Sequence, residues 1–311
     1  MFSTNDGLPV DVTGSPVGTD RFALAEHDAR IERRSPTRPN FVDGWRKEVQ
    51  RKLAQARAAS PSNASPTNQI NIWVANPDEL LNAESCLAVL SEQDWEPIHR
   101  TQDPAARRSA MAARILLRIA LSWAADHGVV PSNWRFESTE NGRPVIAHGL
   151  PPINFSVSHT DQLVAAVTSP TLDVGIDVEC VDQNVSENVI AEFCHLDEHS
   201  SVGGLPRPQE IREFIRLWTL KEAYTKMIGL GHTIDFKTIK FVLDPIDMAV
   251  TSVSGGAPTL FETFYVSHKH VLLHASLAIR NPPTVMGSTE LQIISLASTP
   301  GEDTALASPS M

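Results

Sequence analysis

The chain has 311 residues, 41% of them hydrophobic, and a formal net charge of −11. This is enough apolar sequence for one large or two modest domains, and no apolar run is long enough to span a bilayer. The acidity disfavours nucleic acid as the main partner, because no global positive field gathers polyanions.

Residues 1–68 are rich in Pro, Ser, Asn, Asp and Arg and read as a flexible extension, with one helical possibility at Trp45–Ala59. Asn71–Ala75 then reads as a strand and Ala105–Ala125 as a helix. Trp134–Ser138 and Pro144–Ala147 form a hairpin around Asn141-Gly142. Ile153–Val157, Leu163–Thr168 and Val174–Val178 follow as three strands. Helices are expected at Asn188–Phe193 and Gln209–Met227, then strands at Thr238–Val242, Thr263–Val266 and His270–Ala278. A further strand is possible at Leu291–Leu296, within a polar C-terminal tail. Helix then strands, twice, gives an α+β fold with helices on mostly antiparallel sheets. Cys86, Cys180 and Cys194 are odd in number and include no Cys-x-x-Cys pair, and no leader-like segment opens the chain. The expectation is a cytoplasmic protein.

Two of these elements carry the chemistry. In Asp173-Val174-Gly175-Ile176-Asp177-Val178-Glu179, alternation turns Val174, Ile176 and Val178 to one face and Asp177 and Glu179 to the other. Two close acids need a cation, a shared proton or water, and a divalent metal is the economical answer. In the helix, Ile211, Phe214, Ile215 and Trp218 form an apolar stripe whose continuation lands on Glu222 and then Lys226. An acid in a core position marks a functional site. The plain alternatives are a solvated strand face and an i,i+4 ion pair of a few tenths of a kcal/mol.

The runs Gly175-Ile176-Asp177-Val178-Glu179 and Trp218-Thr219-Leu220-Lys221-Glu222-Ala223, with Lys226, resemble the signature of the 4′-phosphopantetheinyl transferases of the Sfp type. Upstream, in the family's order, Asn154-Phe155-Ser156-Val157-Ser158-His159-Thr160 resembles its strand ending in Ser-His. Gly142-Arg143-Pro144 resembles its basic turn. Arg107-Arg108 and Ala113-Arg114-Ile115-Leu116-Leu117-Arg118 resemble its first helix. The resemblance covers roughly residues 70–280 by motif order and does not include the N-terminal stretch.

The resemblance implies two similar α/β halves, 69–172 and 173–285, with the site in the cleft between them, flanked by the extension (1–68) and a tail (286–311). It implies transfer of 4′-phosphopantetheine from coenzyme A to a serine of an apo acyl or peptidyl carrier protein, in fatty-acid, polyketide or nonribosomal-peptide synthesis. Asp177, Glu179 and Glu222 would hold Mg²⁺, Lys226 would meet the phosphate, and Glu222 would act as base. His159, Ser158 and Arg143 would contact coenzyme A phosphates, as would Arg107 and Arg108. Trp218 would support Glu222. The chain length suits a monomer whose two halves complete the site, with no nucleic acid and no membrane as partner.

Three rivals are weighed beside this reading. His195-Leu196-Asp197-Glu198-His199 matches an inverted zinc-protease pattern, although the glycines at 203 and 204 end a helix there early. The others are a catalytically silent carrier-binding module and another Mg²⁺-dependent phosphoryl-transfer enzyme.

Overall fold

The computed structural model describes residues 68–82, 84–243, 250–254, 256, 258–268, 271–280, 289–295 and 306–307. The helical possibility at Trp45–Ala59 lies outside them. Strand β1 (Asn68–Ala75) is followed by helices α1 (Pro77–Asn82), α2 (Glu84–Leu87), α3 (Glu92–Arg100) and α4 (Pro104–Ala124). The hairpin β2 (Phe136–Ser138) and β3 (Pro144–Ile146) leads to β4 (Asn154–His159), β5 (Val164–Ser169) and β6 (Val174–Cys180). Next come α5 (Glu187–Phe193), α6 (Leu196–Val202) and α7 (Arg207–Ile228). The described chain closes with β7 (Phe241–Leu243), β8 (Val250–Val253), β9 (Thr259–His268), β10 (Val271–Arg280), β11 (Thr289–Ser295) and β12 (Leu306–Ala307).

Two four-stranded sheets, ordered β11-β1-β5-β4 and β12-β9-β10-β6, make the frame. Every pairing in them is antiparallel except β1 with β11, which run in parallel. The α+β expectation holds, and a strand inside the expected C-terminal tail edges the first sheet.

Alternation builds the core. Ile70, Ile72 and Val74 of β1, Ala165 and Val167 of β5, Val174, Ile176 and Val178 of β6, and Leu273, Ala275, Leu277 and Ile279 of β10 form one buried cluster. Each valine, leucine or isoleucine among them contributes about 1.5–3 kcal/mol on burial. The opposite face of each sheet is covered by a long helix, α4 over β5 and α7 over β6 and β10.

Both helices show their start and stop signals. Asp103 caps α4, accepting from the Ala106 amide at 2.6 Å, and Pro104 takes the first turn, where no amide partner is needed. Gly229 ends α7 at φ +78°, a left-handed conformation that disfavours a Cβ.

The two sheets meet where β4 runs beside β6. There the amides of Ile176 and Val178 donate to the hydroxyls of Ser156 (3.2 Å) and Ser158 (3.3 Å). Buried amides need partners, and these two serines supply them in place of a strand ladder.

Candidate active site

Gly175 is the reason a helix can lie against the acidic face of β6. A Cβ there would stand 2.0 Å from the Ala223 carbonyl oxygen and 2.6 Å from the Met227 amide nitrogen, so only glycine permits this approach. With α7 pressed onto the strand, Lys226 reaches Asp177 at 2.6 Å, and Glu222 lies one turn earlier on the helix, 3% exposed. Asp177 and Glu179 turn away from Val174, Ile176 and Val178, as alternation requires, and both are buried.

Asp177 uses one oxygen heavily. Its Oδ1 accepts from Lys226 Nζ and, at 2.8 Å, from the Ser158 hydroxyl. Its Oδ2 is buried and accepts no hydrogen bond. Glu179 accepts from Gln183 Nε2 at 2.7 Å and from the Trp218 indole. Burial first, and the charge of Asp177 second, push the Glu179 carboxyl up to about 8 against the opposing pull of Gln183, Lys226 and Trp218. Burial works against the Lys226 ammonium, yet Asp177, Glu222 and Glu179 together raise it above the ordinary lysine value.

The cationic side of the site comes from the first sheet and its helix. His159, at the end of β4, is pushed down to about 4 by burial, then by the Lys226 and Arg114 cations. It is a neutral ring in a positive neighbourhood, and an incoming anion would favour its protonation. Arg143 follows Gly142, whose φ of +78° makes the turn, and donates from Nη1 to the Met227 carbonyl at 3.1 Å. It packs on Gly229, where a Cβ would stand 3.1 Å from its Cδ. Burial lowers the Arg143 value, with Asp173 opposing and Arg280 adding to the shift.

The other predicted residues divide. Arg107 donates to the Thr101 carbonyl at 3.0 Å, and Arg108 pairs with Asp78 at 3.2 Å, both at the start of α4. Ser158 already holds both the Val178 amide and Asp177. Trp218 bonds Glu179, and it sits in an aromatic group with Phe193, Phe214 and Phe236. Arg118 is fully buried on Asp94, Ser91 and the Pro131 and Trp134 carbonyls, a structural clamp.

The structure uses the residues of the zinc-protease pattern in other contacts. Glu198 pairs with the buried Lys221 at 2.5 Å and accepts from the His195 amide (2.9 Å) and the Phe241 amide (3.2 Å). His195 is the N-cap of α6, its Nδ1 accepting from the Asp197 amide. Lys221 also donates to the Phe193 and Phe236 carbonyls, so this ion pair ties α5, α6 and β7 to α7.

Two family models match this chain: "4′-phosphopantetheinyl transferase, N-terminal" over residues 71–171 and "4′-phosphopantetheinyl transferase superfamily" over residues 173–279. The chain belongs to the 4′-phosphopantetheinyl transferase superfamily. It is similar to a phosphopantetheinyl transferase of Thraustochytrium sp., 27% identical over 58% of this chain and 66% of the relative. A 4′-phosphopantetheinyl transferase of Paxillus involutus is 27% identical over 63% and 80%. The human L-aminoadipate-semialdehyde dehydrogenase-phosphopantetheinyl transferase is 30% identical over 55% and 59%. The chain thus spans from 59% to 80% of these relatives' lengths. No helix among the described residues of this transferase is long and apolar enough to cross a membrane.

The residues of this site fit a hard divalent cation in donor type. Asp177, Glu179 and Glu222 offer oxygen only, Asp177 Oδ2 is a buried acceptor with no hydrogen bond, and burial with the Asp177 charge pushes Glu179 up to about 8 even with Lys226 nearby, a cost that a divalent cation would offset. They are not gathered as a finished cage. Among the described residues, no three His, Cys, Asp or Glu side chains converge as a metal cluster, and Lys226 lies against Asp177. Gln183 and the polar residues of β10 behind the acids belong to this environment and were not singled out in the sequence. The polar His274 and Ser276 at alternate positions of an apolar strand were the available signal.

Proposed function

We propose that this chain transfers the 4′-phosphopantetheine arm of coenzyme A to a serine hydroxyl of an apo acyl or peptidyl carrier protein, releasing adenosine 3′,5′-bisphosphate. The observation that carries the reading is the buried meeting of Lys226 with Asp177 beneath a helix that also bears Glu222, in a chain matched by both halves of the family.

The reaction forms a serine Oγ–P bond and breaks the P–O bond within the pyrophosphate. Glu222 takes the serine proton, either directly or through a water. Lys226 leaves Asp177 for the phosphate, placing a compact positive charge on the group that gains negative charge. His159 receives a phosphate in the neighbourhood that Lys226 and Arg114 make positive. Arg143, held at the end of α7, keeps further donors for the nucleotide phosphates. Arg107 and Arg108 supply the outer cations, and Ser158, next to His159 on β4, offers a hydroxyl to the coenzyme A phosphates. Mg²⁺ held by Asp177, Glu179 and Glu222 supplies neutralisation of the pyrophosphate charge when bound.

In this reading residues 69–172 and 173–285 are the two halves, and coenzyme A enters the cleft between them. The enzyme works as a monomer in the cytoplasm, consistent with the free cysteines Cys86, Cys180 and Cys194. Purified protein, apo carrier, coenzyme A and Mg²⁺ are combined and the carrier is weighed by intact mass spectrometry. The expected result is the mass of one phosphopantetheine added to the carrier and lost with EDTA. No added mass on fatty-acid, polyketide and nonribosomal-peptide carriers alike would overturn the proposal in favour of a silent carrier-binding module.

A further inference from the structure

Between α7 and β10, behind the acids, lies a buried polar group that the proposed chemistry does not use. The Thr219 hydroxyl, on a residue with no solvent exposure, is 2.8 Å from Ser276 Oγ, 2.9 Å from His274 Nδ1 and 3.0 Å from the Arg216 carbonyl oxygen. A hydroxyl has one proton and two lone pairs. The carbonyl can only accept, so the Thr219 proton goes to Arg216 and Thr219 accepts the other two bonds. His274 then carries its proton on Nδ1, and Ser276 donates. Burial, helped by the Arg216 cation, pushes His274 down to about 3, which keeps the ring neutral, as one defined tautomer requires. The Tyr265 ring packs edge-on at 5.0 Å and holds the imidazole plane.

The position of this group matters as much as its bonding. Strand register sets Ser276 opposite Asp177 and His274 opposite Glu179, on the face that α7 covers. Thr219 lies one helical turn before Glu222. On the second sheet the helix makes close contact with β6 at Gly175, beside the Lys226–Asp177 ion pair, and two side-chain hydrogen bonds to β10 from Thr219. Contacts on two neighbouring strands constrain the rotation of the helix over the sheet as well as its slide along it.

We propose that Thr219, His274 and Ser276 form a positioning junction that sets the rotation of α7, and so the place of Glu222 relative to Asp177 and Glu179, without touching substrate. The inference rests on the transferase reading for its effect on rate, and on hydrogen-bond capacity alone for its tautomer.

Thr219→Val keeps the side-chain shape and removes all three bonds, while Thr219→Ser keeps the hydroxyl. In the full chain, Thr219→Val is expected to lower kcat for holo-carrier formation at least about tenfold, the scale of a slight misplacement of a catalytic group. The KM for coenzyme A stays unchanged, and Thr219→Ser restores most of the rate. Nitrogen NMR of the metal-free wild type should show His274 protonated on Nδ1. Ser276→Ala removes one bond and little volume, and gives a smaller loss of kcat should the valine variant fail to fold. A folded Thr219→Val or Ser276→Ala enzyme with wild-type kcat would overturn the proposal, as would a His274 proton on Nε2. The NMR signature needs neither carrier nor coenzyme A. An inactive wild type would therefore count against the transferase reading while the tautomer still decides the junction.

Discussion

The layer of α4 on the first sheet and the layer of α7 on the second are built alike and filled differently. Strand order β1-β5-β4 in one matches β6-β10-β9 in the other, and a long helix follows the first strand of each set. Asn71 faces Thr168 as Asp177 faces Ser276, and Trp73 faces Ala166 as Glu179 faces His274. In the first layer Trp73 fills the space with a large apolar ring, set edge-on to Trp123 of α4 at 5.4 Å. In the second, the equivalent positions hold two acids, a buried imidazole and a lysine reaching in from the helix. Matched strand positions that seat an indole in one layer thus seat charge in the other, and that charged filling marks the function.

The sharpest way to break this comparison is to empty each layer at matching places. Asp177→Ala is expected to reduce transfer about a thousandfold or more, the scale of losing a group that stabilises transition-state charge, while the thermal melt remains cooperative. Trp73→Ala should do the reverse, losing about 3–5 kcal/mol of stability in a urea titration. Transfer at wild-type rate by Asp177→Ala would remove the acids from the site. Glu222→Gln comes next, with a loss of about a hundredfold to ten-thousandfold in kcat if the carboxylate accepts the serine proton.

Gly175→Ala tests the close approach that only the second layer uses. The added methyl meets α7 backbone, so α7 must lift, at about 1–3 kcal/mol of stability by urea titration and with a fall in transfer rate. An alanine variant with unchanged melt and rate would show that the helix has room to spare.

The matched positions of His274 and Ala166 should also differ in their response to acid. The folded His274 value is near 3, below the ordinary value of 6.5, so between those pH values the unfolded chain binds a proton that the folded chain refuses. The stability from this group is present above about pH 6.5 and is lost as pH falls toward 3, by up to about 1.4 kcal/mol per pH unit. His159 adds the same sign of dependence down to about 4. Urea titrations should show His274→Gln with a flatter pH dependence than wild type, and an equal slope would mean that the ring protonates in the folded state. Ala166, the counterpart of His274, contributes no such term. The smallest effect is expected at His195, a partly exposed helix cap away from both layers. His195→Ala should leave the transfer rate nearly unchanged, and a large loss would reopen the zinc reading.

Much of the site was legible because strand alternation and helical spacing are local rules. Asp177 and Glu179 were assigned to one face from period two alone, and Glu222 and Lys226 from a stripe at period near four. Even so, α7 is not a simple amphipathic helix. From Thr219 to Thr225 it is buried on every side, with Lys221 locked onto Glu198, because α5, α6 and the segment before β7 cover the side that would otherwise face water. The short helices α1, α2 and α3 were missed, α3 because Pro97 lies inside it and masks the pattern. Its capping residue Ser91 bonds Asp94, which in turn pairs with Arg118. The likeness of the two layers was implied by the family resemblance alone and not by periodicity, since Asn71-Ile72-Trp73 and Asp177-Val178-Glu179 share an alternation and no chemistry.

What the sequence determined by itself is both long helices and most of the strands, the acidic face of β6, the acid and lysine on α7 and the motif order of the family. Each follows from residues a few positions apart, whose relative directions are set by backbone geometry. What only the tertiary structure decided is how the pieces meet. The serines of β4 satisfy the amides of β6, Gly175 admits the helix, Arg143 reaches the end of α7, and Thr219 joins His274 and Ser276. The partners in those contacts are separated by about twenty to more than eighty residues, and a buried polar group takes whichever partner packing places within reach.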